Sequence, residues 1–229
     1  MIRLGPDRER REQATRIKGV GVILVVTFAL AASVATGGIR PTDQKLAERL
    51  TLRLSDFPSG WRMSGKPSTR IHYTCPTAPK LVGAITGYSA SAFFAPVHHQ
   101  IDKRNADSET ILFSSLAAAK RYRWAGGGEG ACVQAEQVAY WKKTNPSFKI
   151  YGLHHERETF LLHCSSCPPH QLSAWQIGYT IELPGRERWF IDWVAVRTQR
   201  VVTVFYFFSA VHPFGPDGRR LVSTVLERA

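Results

Sequence analysis

The chain has 229 residues, of which 44% are hydrophobic and 21% charged, and 30 Lys and Arg against 18 Asp and Glu give a formal net charge of +12. These values exclude a disordered or low-complexity chain, which carries too little apolar surface to offset the entropy of ordering. The excess of positive charge favours anionic partners such as lipid headgroups, wall polymers or nucleic acid, although a basic solvated face is the commoner meaning of such a balance.

The first 18 residues contain Arg3, Arg8, Arg10, Arg11, Arg16 and Lys18 against Asp7, Glu9 and Glu12. That leaves about +9 on the rest of the chain. Between Lys18 and Arg40 lie 21 uncharged residues, Gly19 to Ile39, built around GVGVILVVTFALAASVA. A helix of that length, rising ~1.5 Å per residue, matches a bilayer core. Basic flanks stay in the cytoplasm, so everything after Arg40 is expected outside it. A single-pass membrane anchor is the first reading. A signal peptide cleaved near Ala35, after Ser33-Val34-Ala35, is the second. No Cys closes the apolar run, so a lipid-modified N-terminus is not supported. The expected organisation is a basic cytoplasmic segment (1–18), an anchor or signal (19–39), and one domain (42–229) large enough for a real core.

Pro41 and Thr42 open a predicted helix, with Thr42 or Asp43 as cap and Leu46, Leu50 and Leu54 on one face. Asp56-Phe57-Pro58-Ser59-Gly60-Trp61 ends it in a turn, with Trp61 packed back on the domain. Residues 80–88 read as a short helix or turn. Ser89 to Val97 and Gln100 to Phe113 read as strands, interrupted by polar residues from Asp102 to Asp107. Ser114 or Ser115 caps a predicted helix over LAAAKRYRW, which Gly126-Gly127-Gly128-Glu129-Gly130 breaks. A second helix follows, with Cys132, Ala135 and Ala139 on one face. Lys149 to His155 and Glu158 to His163 form a predicted hairpin, and Gln171 to Leu183 a further strand. Trp189 to Val196 and Val201 to Phe208 carry the strongest strand signal, β-branched and aromatic, joined by Arg197-Thr198-Gln199-Arg200. The unbroken apolarity of the second predicts burial on both sides. A last helix starts at Gly215-Pro216-Asp217 and turns Leu221, Val222, Val225 and Leu226 inward. Helices at both ends and in the middle of hairpin-linked strands predict an α+β domain, an antiparallel sheet covered by helices.

Cys75, Cys132, Cys164 and Cys167 are an even set, which in an exported domain reads as disulfides. Of three pairings, the short separation favours Cys164 with Cys167 and Cys75 with Cys132. The segment His163-Cys164-Ser165-Ser166-Cys167-Pro168-Pro169-His170 also offers two thiolates and two imidazoles as zinc ligands, and C-x-x-C as a redox dithiol. Zinc would need a very tight knuckle, and a redox pair would open a helix where Pro168-Pro169 stands. A local disulfide is the favoured reading, and no cofactor is expected.

Other motifs fall short. His154-His155-Glu156-Arg157-Glu158-Thr159 lacks the second His of a helical metalloprotease pair. GGGEG lacks the Lys-Ser/Thr of a phosphate-binding loop. No G-x-S-x-G occurs. His98 and His99 alternate on a predicted strand and so point apart. A carboxylate pair for acid–base work would require Asp102, Asp107, Glu109 or Asp192 to converge. Asp192, inside an apolar strand, reads as a buried, partnered acid.

The ordered set Leu52, Leu54, Asp56-Phe57-Pro58-Ser59-Gly60-Trp61, Cys75, ILFSSLAAAKRYRW, Cys132 and IDWVAVRTQRVVTVFYFFS with a C-terminal helix resembles a known family. These are the exported or membrane-anchored actinobacterial domains often labelled sensor domain-containing or lipoprotein-like, with a PsbP-like α/β/α fold. The resemblance spans roughly residues 43–229. It implies a non-catalytic domain of unknown ligand, with a disulfide joining Cys75 and Cys132. The chain departs from the family by lacking the lipobox cysteine and by carrying HCSSCPPH ahead of a strand.

The expected function is thus a membrane-anchored, extracytoplasmic, sensor-like binding domain for an envelope ligand or partner protein. A basic binder of anionic envelope polymer or nucleic acid, using Tyr122, Trp124, Tyr140 and Trp141 as exposed aromatics, is the alternative, although no specific nucleic-acid motif is present. A metal or redox protein using Cys164 and Cys167 is the third reading.

Overall fold

The computed structural model describes residues 38–71, 82–98, 103–122, 139, 142–143, 149–156, 172–182, 188–210, 212 and 215–229. Helix α1 (Pro41–Arg49) leads through a 3-10 turn (Leu54–Asp56) to the short strand β1 (Trp61–Ser64). Strands β2 (Ile85–Ala90), β3 (Phe93–Pro96) and β4 (Arg104–Phe113) follow, then helix α2 (Leu116–Arg121). The second half holds β5 (Lys149–Glu156), β6 (Leu172–Glu182), β7 (Arg188–Thr198), β8 (Val201–Ser209) and helix α3 (Gly215–Leu226).

The strands form one eight-stranded sheet in the order β1-β3-β4-β8-β7-β6-β5, with β2 also paired to β4. Every pairing is antiparallel. The architecture is therefore α+β, an antiparallel sheet with helices against it. Strand β4 is its hinge: one edge pairs along its length with β8, and the other is shared by β3 near Ala106 and by β2 from Glu109 to Phe113.

Alternation along the strands divides the core in two. On one face, α1 and α3 lay Ala47, Leu50, Leu221, Val222, Val225 and Leu226 against Ala106, Leu112, Val194, Phe205 and Phe207. On the other, Ala118 and Ala119 of α2 pack with Ile111, Phe113, Ile191, Trp193, Val202 and Val204. Strand β8 feeds both faces, which explains its continuous apolar run.

The β7–β8 hairpin forms as expected, but the strands run on to Thr198 and resume at Val201, leaving Gln199 and Arg200 as the turn. Gln199 takes a left-handed φ of 52°, as a two-residue hairpin turn requires. Ser115 caps α2, its Oγ accepting from the Ala118 N–H at 3.1 Å.

Several expectations need correction. Helix α1 has no side-chain cap: Arg40 is the N-cap residue, Pro41 supplies the first position, and Asp43 is drawn instead into an ion pair. Leu54 lies beyond the helix in the 3-10 turn and is 45% exposed, so it does not extend the Leu46–Leu50 face. Residues 85–88 are strand, because β4 offers them a free edge. Asn105 to Asp107 are not an interruption; they pair in register with β8. Strand β5 pairs with β6, a partner distant in sequence; the 158–163 half of the expected hairpin lies outside the described residues.

No helix among the described residues is long and apolar enough to cross a membrane. The 19–39 segment lies outside the described residues except for its last two. The second predicted helix around Cys132 and the GGGEG run also lie outside them.

Candidate acid–tyrosine site on the α2 side of the sheet

Strand β4 reads Arg-Asn-Ala-Asp-Ser-Glu-Thr-Ile-Leu-Phe, and its alternation sends two polar sets to opposite faces. On the helix face, Ser108 and Thr110 are wholly committed. The Ser108 Oγ accepts from the Leu52 N–H at 2.8 Å. The Thr110 Oγ1 donates to the Leu50 carbonyl at 2.8 Å and shares a hydrogen bond with Thr203 at 3.1 Å. These bonds satisfy the carbonyl and N–H left over where α1 ends.

The other face carries Asn105, Asp107 and Glu109 in a row. Glu109 is only 8% exposed. Its Oε1 accepts from the Tyr206 hydroxyl at 3.0 Å and its Oε2 from the Tyr88 hydroxyl at 3.1 Å. Burial pushes its carboxyl above the usual range, while the hydroxyls of Tyr206, Tyr88 and Tyr122 pull it back by stabilising the anion. The same burial, reinforced by the Glu109 charge, holds the Tyr88 and Tyr206 phenols well above their ordinary values.

Asp107, half-buried, sits two residues away and in register with Tyr206. Burial first, and the neighbouring Glu109 charge second, raise its carboxyl to about 8. Near neutral pH Asp107 therefore keeps most of its proton, since two adjacent desolvated carboxylates resist ionising together.

Aromatic rings wall this row. Trp193 stands next to Tyr206 in the register and meets it edge to face, with centroids 5.8 Å apart. Tyr122 packs against Phe113 at 5.8 Å. At the end nearer Ser209, Asn105 is fully buried with neither amide atom hydrogen-bonded among the described residues, and the Trp189 Nε1 is likewise buried without a partner among them.

Of the carboxylates weighed from sequence, the structure brings Asp107 and Glu109 together. It places Asp192 on the helix face, opposite Phe207 and buried, as expected for a structural acid. Asp102 lies outside the described residues. Tyr122, expected as an exposed stacking aromatic, is 2% exposed, a correction that follows from its ring packing on Phe113. Trp124, Tyr140 and Trp141 lie outside the described residues, as do Cys75, Cys132, His163, Cys164, Cys167 and His170. His154, His155 and Glu156 are in strand β5, a geometry unlike the helical metalloprotease pair. His98 is exposed in the turn after β3, and His99 is outside the described residues.

Tyr88 and Tyr206 were not singled out from sequence. The available signal was a hydroxylated ring inside apolar strands, together with two acids spaced for one strand face.

Fold and site together define an α+β domain with a buried acid–tyrosine cluster on one sheet face. No protein-family model matches the chain, and no curated protein matches it. Among solved structures it is similar to the extracellular domain of PknH from Mycobacterium tuberculosis, at 14% identity and a TM-score of 0.46, covering 82% of this chain and 98% of that one. It is also similar to a putative uncharacterised protein from Mycobacterium smegmatis, at 11% identity and a TM-score of 0.40, covering 82% and 98%. A protein of unknown function from Pseudomonas aeruginosa, described as a putative regulator, overlaps at 11% identity and a TM-score of 0.26, covering 77% and 92%. Overlaps this loose assign neither a fold family nor a function.

Proposed function

We propose that this chain is a non-catalytic binding domain of PsbP-like fold that works outside the cytoplasm, anchored by residues 19–39, with the acid–tyrosine face as its ligand site. One observation carries the site. On the α1 and α3 side the β4 side chains Ser108 and Thr110 are each hydrogen-bonded to the protein, whereas on the opposite side, among the described residues, Asn105 has no side-chain partner and Asp107 pairs with no cation. Such polarity is costly to bury unless something else uses it.

Binding suits the geometry better than catalysis. Both Glu109 oxygens accept from tyrosine hydroxyls, which fixes the carboxylate's orientation, as holding a ligand requires. The Cys164–Cys167 pair serves as a structural disulfide in this reading, with Cys75 joined to Cys132.

The test is a thermal-shift screen of the full chain in detergent micelles against small envelope-derived compounds. The expected result is a compound that raises the melting temperature of the wild type but not of Asp107→Asn. Chemical conversion of such a compound by the protein would replace binding with an enzymatic role.

A further inference from the structure

We propose that the face formed by Asn105, Asp107 and Glu109 takes a small organic cation, an ammonium or guanidinium compound. The proposal rests on the site reading above and adds the class of ligand. The charge is the first reason. Two acids lie two residues apart on one strand, roughly 7 Å between their Cα atoms. In a chain with 30 Lys and Arg, neither acid is hydrogen-bonded to one: the Glu109 partners are tyrosines, and Asp107 has no ion pair among the described residues. Among the described residues the basic residues nearest in register on this face are Lys103, just before β4, and Arg197, one same-face row beyond Glu109, and each has a partner of its own. An anion would meet an acid pair that already resists a second charge, with no cation bound to it among the described residues.

Ring chemistry is the second reason. Tyr206 and Trp193 continue the row that starts at Asp107, and their π faces attract a cation where a carboxylate lies alongside. Asn105 is the third and independent one. Its amide is fully buried and unpartnered, and its alternation with Ala106 turns it to the acid face beside Phe208. Its carbonyl oxygen can accept from an ammonium or guanidinium N–H, and Trp189 closes that end of the row with its own unpartnered Nε1.

A bound cation would favour the ionised form of Asp107. The titratable groups that act on or feel Asp107 are Glu109 on its own strand, Tyr206 on β8 and Tyr88 on β2, with Tyr122 reaching the pair through Glu109. The tyrosines stay neutral near pH 7, so a proton lost on binding comes from the acid pair.

Calorimetric titration of the full chain in detergent micelles, in two buffers of different ionisation enthalpy, tests this with tetramethylammonium, putrescine and arginine as probes. Acetate and glucose serve as anionic and neutral controls. The expected result is that at least one cation binds at neutral pH with proton release, and that Asp107→Asn weakens it about tenfold or more. Asp192→Asn, on the opposite face, should leave it unchanged. Failure of every cation to bind, even above the Asp107 titration, overturns the cation class. If a neutral or anionic compound binds instead and is lost in Asp107→Asn, the site stands and only the ligand class falls. Binding indifferent to Asp107→Asn removes the site itself.

Discussion

Two acids in this protein have opposite electrostatic roles, and pH separates them. Asp43 is 4% exposed and gripped by Arg200 through paired bonds of 2.6 and 2.7 Å. The Arg200 guanidinium, with the Thr86 hydroxyl assisting, holds its carboxyl down to about 2 against burial. That stability is present above the unfolded carboxylate value near pH 4 and is lost as pH falls toward 2. Arg200→Ala strands the acid and should cost about 3 kcal/mol in chemical denaturation at neutral pH, with the loss shrinking in acid. Asp107 runs the other way. Its folded value of about 8 lies above the unfolded one, so the folded state keeps a proton that the unfolded state has released. Stability should therefore fall as pH rises from about 4 toward 8, with a slope of up to one proton. Asp107→Asn should flatten that slope in a series of denaturation midpoints. An unchanged slope would show that Asp107 titrates normally. Tyr88 and Tyr206 belong to the same scale: each acts through one hydroxyl on Glu109.

Helix α1 and strand β2 approach each other closely at Gly87. A Cβ on Gly87 would lie 2.5 Å from the Asp43 carbonyl oxygen and 2.6 Å from its carbon, both backbone atoms that cannot swing away. Gly87→Ala should therefore push α1 off the sheet and destabilise the domain by roughly 1–3 kcal/mol. The melting temperature of the variant checks this, and a neutral result would mean that α1 docks loosely. The same contact holds the Arg200 grip, because Asp43 reaches the β7–β8 turn only when α1 lies tight on β2. The C-terminus is pinned in a comparable way: Arg228, just past α3, donates to Asp56 of the 3-10 turn at 2.7 Å. The hairpin β7–β8 and helix α3 were legible from sequence because their signals are local: β-branched runs around a short turn, and apolar residues at helical spacing. The β2 strand, the shortened α1 and the β5–β6 pairing were not. Each depends on a partner far along the chain, and single-segment periodicity carries no information about which edge is free.

For the whole molecule, the sheet separates a side under α1 and α3, where Ser108 and Thr110 of β4 bond to the protein, from the side under α2, which carries the acid–tyrosine cluster. The chain enters this structure abruptly. The Arg40 N–H donates to the Thr86 carbonyl at 2.8 Å, one residue after the apolar run ends at Ile39. With residues 19–39 as a membrane anchor, the domain would stand directly on the bilayer with almost no linker. Protease added to intact spheroplasts should then digest the domain while leaving the basic N-terminal segment protected, as an N-terminal tag would report. Protection of the domain would place it inside. By itself the sequence determined the α+β class, the apolar segment, the strongest hairpin and the final helix, since these follow from composition and local periodicity. It set Asp192 apart as a structural acid but left Asp102, Asp107 and Glu109 undistinguished. Only the tertiary structure decided among them, because strand register sets which side chains share a face. Asp107 and Glu109 meet three tyrosines from separate parts of the chain, and Asp192 turns away to the other side.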